Sequence, residues 1–149
     1  MRPSPICAFF LLACLVPVFP QAGRNGGTED PAALVGLSLE ALLNRFGTPQ
    51  AVYAARGAEE WQDDVVFVYG EGDFYIFKDR VWQVGLKSVR GIKPGDSKPA
   101  ALLLLGEEAE DRGDHILLSL PDGNWPLTLR VSLNGTGFVS ALYIYRPDF

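Results

Sequence analysis

The chain has 149 residues, 48% hydrophobic and 21% charged, enough for one folded domain or two very small ones sharing a core, and too apolar for a disordered chain. Its formal charge is -5; without the segment around Arg2 it becomes -6, because twelve Lys and Arg then face eighteen Asp and Glu. An acidic chain whose basic residues are scattered singly repels phosphate backbones, which argues against nucleic acid and anionic membrane surfaces as partners.

At the start of the chain Arg2 forms a brief positive region. Ile6 to Phe19 is then almost unbroken apolar sequence, interrupted at Pro17, before Pro20, Gln21, Ala22 and Gly23 turn it polar. As a helix this run reaches only ~21 Å, short of the roughly 30 Å hydrocarbon core. Residues 1–22 therefore read as an export signal rather than a permanent span. Two exits are open: signal-peptidase cleavage near Ala22, or lipoprotein cleavage before Cys14, where Leu11, Leu12, Ala13 and Cys14 resemble a bacterial lipobox. The expected location is the periplasm or outer envelope, with membrane attachment only through a lipid on Cys14. Cys7 and Cys14 both fall inside the signal, leaving the folded part without a thiol for a disulfide, a zinc ligand or a nucleophile. Residues 23–33, rich in Gly and polar side chains from Arg24 to Asp30, read as a flexible tether.

An internal repeat organises the rest. Gly36 to Gly47 and Gly95 to Gly106 align without a gap at a spacing of 59 residues. In the first copy Ser38 is a helix N-cap and Glu40 suits the positive end of the dipole. Leu39, Leu42, Leu43 and Phe46 fall on one face, and Gly47 with Pro49 ends the helix. In the second, Asp96 or Ser97 caps, Pro99 occupies the first turn and Gly106 stops it. Strands are expected at Ala51 to Arg56, Asp64 to Tyr69, Asp73 to Lys78 and Val81 to Lys87, then at His115 to Leu120, Leu127 to Asn134 and Phe138 to Tyr145. Short glycine-rich and Asp-Arg connections make these runs antiparallel. The reading is an α+β protein of two tandem helix-plus-antiparallel-sheet units, at 34–90 and 91–149, with the helices packed on one face of the sheet.

The phrase Gly91-Ile92-Lys93-Pro94-Gly95-Asp96-Ser97, leading into a short helix that stops at Leu105-Gly106, resembles the repeat opening of the SmpA/OmlA and β-lactamase-inhibitor-like superfamily. Phe46-Gly47-Thr48-Pro49 and Phe77-Lys78-Asp79-Arg80-Val81 are similar to that family's helix end and final hairpin. The resemblance implies a cell-envelope module that binds other proteins through an open sheet face, as an assembly accessory or a secreted inhibitor, and it carries over no catalytic residue.

The residues themselves offer little for catalysis. His115 is the sole histidine, and one imidazole beside Asp114 is a strand-end polar residue before it is a catalytic base. Two acidic clusters, Glu59, Glu60, Asp63 and Asp64 in one and Glu107, Glu108, Glu110, Asp111 and Asp114 in the other, lack the spaced oxygen ligands of a calcium loop. No metal, no cofactor and no enzymatic activity are expected.

Aromatic side chains supply the functional lead. In Asp73 to Lys78 both alternating sets are apolar, Phe74 with Ile76 and Tyr75 with Phe77. One set faces the helices, and the other needs a cover, either another part of the chain that buries central strands on both sides or a bound molecule. Tyr75, Phe77 and Trp82 are the expected partner-binding residues, with a bulge near Val81 able to reverse the alternation from Trp82 onward. The expected function is noncatalytic protein binding in the envelope, and the alternative is binding of a small molecule or peptidoglycan fragment on the same aromatic face. Leu103 and Leu104 replace Asn44 and Arg45 of the first helix, which points to a more deeply buried second helix or to a dimer or partner contact, the former being preferred because the two units must pack somewhere.

The two exits of the export signal are separated by labelling. Incorporation of labelled fatty acid that is lost in Cys14→Ala, with release from membranes, establishes the lipid anchor, whereas a mature N-terminus near Gly23 establishes signal-peptidase cleavage.

Overall fold

The computed structural model describes residues 30–56, 63–121 and 125–148. Pro31–Leu34, at the end of the stretch read as tether, forms a short 3-10 turn. Asp30 accepts a hydrogen bond there from the Ala32 N–H at 3.0 Å, and Leu34 and Val35 are buried. Helix α1 (Leu39–Phe46) follows, with the Ser38 hydroxyl accepting from the Ala41 N–H at 3.1 Å and Glu40 in the first turn. Strands β1 (Ala51–Ala55), β2 (Asp64–Val68), β3 (Gly72–Phe77) and β4 (Arg80–Leu86) come next. Helix α2 (Lys98–Leu105) opens the second half, which continues with β5 (Glu110–Asp111), β6 (His115–Leu120), β7 (Leu127–Leu133) and β8 (Val139–Tyr145). The Ser97 side chain makes no capping bond; the Asp96 carboxylate instead accepts from the Lys93 N–H at 2.9 Å, closing the turn that leads into α2.

The expected division into two helix-plus-sheet units is corrected by the strand order. All eight strands belong to one antiparallel sheet, ordered β1-β2-β3-β4-β8-β7-β6-β5. The join is β4 against β8, where Gln83 faces Tyr145, Val84 faces Ile144, Gly85 faces Tyr143 and Leu86 faces Leu142. Its physical reason is twofold. Four strands and one eight-residue helix leave the β4 and β8 edges bare, and pairing them satisfies both rows of backbone groups. The join also extends one apolar row across six strands: Phe67, Phe74, Val84, Ile144, Leu129 and Leu118 are successive cross-strand neighbours. Each fully buried side chain in such a row contributes about 1.5–3 kcal/mol, far more than either half keeps with an exposed end.

This row lies in the main core together with Leu42 of α1 and Ala101 and Leu105 of α2. The lead-ins of both helices are tied to the two central strands. Gly36 N–H donates to the Val81 carbonyl and Gly95 N–H to the Val139 carbonyl, each at 2.8 Å, so the two copies use equivalent glycine donors in the same kind of local backbone bond. The rings of Phe46, Tyr69 and Phe74 meet pairwise at centroid distances of 5.3–5.6 Å, and the Tyr69 hydroxyl donates to the Gly47 carbonyl at 3.1 Å, fastening the end of α1 to the sheet.

The expected deeper burial of the second helix is not found. Leu103 is 84% and Leu104 50% exposed. An eight-residue helix on a single sheet has one face to bury, and α2 presents Ala101 and Leu105, one turn apart, to the core. Positions 103 and 104 point away, as Asn44 and Arg45 do in α1. The pair Glu110–Asp111, read from sequence as part of an acidic loop, adds the short strand β5 to β6.

Gly47 (φ 73, ψ -146) and Gly106 (φ 84, ψ -170) end the helices in a backbone region open almost only to glycine. A Cβ at either site meets nothing within 4 Å, so Gly47→Ala and Gly106→Ala are each expected to cost about 1–3 kcal/mol through the backbone alone. Gly72→Ala is expected to cost more, because its Cβ would lie 2.3 Å from the Gly85 carbonyl oxygen in β4. Urea denaturation of the three variants checks the order; unchanged midpoints for Gly47 and Gly106 would contradict the backbone argument.

Candidate functional site

The face of the sheet turned away from the helices gathers the aromatic residues. Directly paired residues share a face, so the registers give a second continuous row: Tyr53, Val66, Tyr75, Gln83, Tyr145, Thr128 and Ser119. A neighbouring row on the same face runs Asp73, Gly85, Tyr143, Arg130 and Leu117. Val66 is fully buried yet stands outside the main core, because Tyr53 and Tyr75 flank it on this face. Tyr75 and Tyr143 meet edge to face with centroids 6.3 Å apart. Gly85 lies beside this contact: a Cβ there would be in ordinary van der Waals contact with the Tyr143 ring, 3.6 Å away.

Trp82 owes its position to a bulge. Tyr75 pairs with Gln83, but Ile76 pairs with Val81, leaving Trp82 as the extra residue of β4. Val81 and Val84, three apart, are consequently both buried in the core, while the Trp82 indole N–H donates to the Asp64 carboxylate at 2.9 Å. Asp64 precedes Val66 by two positions on β2 and so lies on the same outer face. Burial raises the Asp64 pKa above the usual carboxylate range; the Trp82 bond opposes that rise and nearby Asp63 adds to it. Desolvation also raises the Tyr75 phenol, reinforced by Tyr143, Tyr53 and Asp73, so its hydroxyl remains a donor well into alkaline solution.

All three sequence-derived binding residues reach this face. Tyr75 and Trp82 are half-buried within it. Phe77 falls on it by alternation from Tyr75, at the hairpin end, with the Lys78 ammonium 5.0 Å from its ring centroid. None of the three belongs to the buried core. Tyr53, Tyr143, Tyr145 and Arg130 complete the surface. The signal was present in β8, where Leu142 and Ile144 alternate with Tyr143 and Tyr145, but its relation to β3 depends on the β4–β8 register. The Arg146 guanidinium lies 4.0 Å from the Trp125 ring centroid and forks onto Asp148.

His115, Asp111 and Glu110 are engaged in surface pairs. His115 Nδ1 lies 2.7 Å from Asp114. Asp111 pairs with Lys98 at 2.7 Å and accepts from the Gly113 N–H, and Glu110 pairs with Arg112. Among the described residues no group of three or more His, Cys, Asp or Glu is placed to hold a metal ion. Cys14, Glu59, Glu60 and Trp61 lie outside the described residues.

No family model matches the chain, and no curated protein does. Among solved structures it is similar to an extracellular protein containing a SCP domain from Bacillus anthracis, at 12% identity and a TM-score of 0.44 over 85% of this chain. This chain spans half the length of that protein. No described helix is long and apolar enough to cross a membrane.

The Trp82–Asp64 contact makes a titration testable. A carboxyl whose folded pKa exceeds its unfolded value stabilises the fold most below the unfolded pKa, and that contribution is lost as pH rises through the folded pKa. Trp82→Phe removes the donor that favours the carboxylate, so the Asp64 midpoint is expected to move further upward and the loss of stability to shift to higher pH. Carbon-13 NMR titration of the Asp64 carboxyl measures it; a midpoint that falls or stays fixed would refute the role given to the indole.

Proposed function

We propose that this chain is a noncatalytic cell-envelope module that binds a protein partner on the helix-free face of its sheet. The observation that carries the reading is the gathering of Tyr53, Tyr75, Tyr143, Tyr145 and Trp82 from four strands onto one face, around the buried Val66. Large rigid rings offer much contact area for little side-chain entropy, and Tyr, Trp and Arg dominate the energetics of protein interfaces. Half-burial of Tyr75, Tyr143 and Tyr145 fixes their rings before binding, which lowers the ordering cost. The export signal, and the resemblance of Gly91 to Ser97 to the SmpA/OmlA and β-lactamase-inhibitor-like superfamily, supply the compartment and the kind of partner. Tyr75 and Trp82 act here as anchors, with Phe77 at the rim beside Lys78.

A photo-crosslinking residue placed at 75, 143 or 145 in living cells is expected to yield one common protein adduct that is absent when the residue replaces Leu43 on α1. Tyr75→Ala and Tyr145→Ala are expected to weaken binding of that protein by ~2 kcal/mol or more with the melting temperature preserved. Adducts from the helix side alone, or unchanged binding by both variants, would overturn the proposal.

A further inference from the structure

The two edges of the sheet differ in a way that points to self-association. The β5 edge is two residues long and both are acidic, Glu110 and Asp111, a short charged strand of the kind that blocks edge-to-edge pairing. The β1 edge has no such guard. Its five residues, Ala51, Val52, Tyr53, Ala54 and Ala55, carry no charge and no proline, and among the described residues β1 ends the strand order with a partner strand on one side only. It is also apolar on both faces. Val52 and Val65, on the helix side beyond the reach of α1, are 51% and 44% exposed, and Tyr53, on the opposite side, is 45% exposed. An edge of this length that leaves its backbone groups unpaired and its side chains apolar is a template for one more strand.

We infer that a second copy of this chain supplies that strand, β1 pairing antiparallel with β1 across a two-fold axis. Full overlap of two five-residue strands puts Tyr53 on the axis, pairs Val52 with Ala54 of the other copy, and pairs Ala51 with Ala55. No charged group then opposes another along the strand, and the flanking Arg56, already paired with Asp63 at 2.5 Å, falls opposite Gln50 of the other copy rather than its own equivalent. The same superposition at the β5 edge sets carboxylates against carboxylates. A two-fold axis perpendicular to the sheet keeps like faces together, so Val52 and Val65 meet apolar neighbours on the helix side. This interface shares Tyr53 with the proposed partner-binding face, but it is argued from the strand edge and not from that face.

Light scattering after size exclusion, on the chain isolated after export, is expected to show a mass that rises to twice that of one chain as concentration reaches the high micromolar range. Val52→Asp, at an exposed position outside the core, is expected to hold the chain at single mass with an unchanged melting temperature, and Tyr53→Lys to hold it at single mass. Tyr53→Cys is expected to give a reducible dimer under mild oxidation, because paired antiparallel residues have Cα atoms about 4.5–5.5 Å apart, within the disulfide span of about 4.4–6.8 Å. A single-chain mass throughout would overturn the inference. So would a doubled mass that survives Val52→Asp and Tyr53→Lys, or one abolished instead by Leu103→Asp on α2.

Discussion

Everything in this molecule rests on the pairing of β4 with β8. Each half of the chain is a four-strand meander with one short helix, too small to bury its own strands on both flanks. The four paired positions from Gln83–Tyr145 to Leu86–Leu142 join the two meanders into one sheet and make β4 and β8 its central strands. The helices follow from that choice: each is preceded by a backbone segment bonded to the start of a central strand, Gly36 to Val81 and Gly95 to Val139. Their apolar residues meet the same continuous row.

The bulge at Trp82 is the second constraint. A regular strand would align Trp82 with Val84 on the helix side and force a large indole into a core already filled by Phe74 and Leu42. The extra residue lets Val81 and Val84 both face inward and turns the indole to the opposite face, where Asp64 accepts its N–H. One inserted residue thus fills the core and contributes a ring to the outer surface.

Local features were legible in the sequence wherever a short-range rule applied. Ser38, Gly47 and Pro49 mark α1, Pro99 and Gly106 mark α2, and the alternation of Leu127, Leu129, Val131 and Leu133 marks β7 with one buried face. Tyr75, Phe77 and Trp82 could be named because both alternating sets of β3 are apolar. The continuity of the sheet could not be read, since no local pattern states that residues near 84 pair with residues near 144. Leu103 and Leu104 look like core residues in the sequence, but no layer among the described residues lies beyond α2 to cover them. Tyr53, Tyr143 and Arg130 joined the outer face through registers that span three or more strands, beyond the reach of periodicity.

The place of β8 has a consequence for how the chain acquires its structure. It follows β5, β6 and β7 in the sequence and yet occupies the middle of the sheet beside β4. A chain that emerges in order, from a ribosome or across a membrane, therefore exposes the β4 edge and half of the apolar row until β8 arrives. Closure waits on contacts between residues distant in sequence, the kind that slow folding and leave intermediates open to aggregation. The interval between the appearance of β4 and that of β8 is the period in which this chain most needs a chaperone.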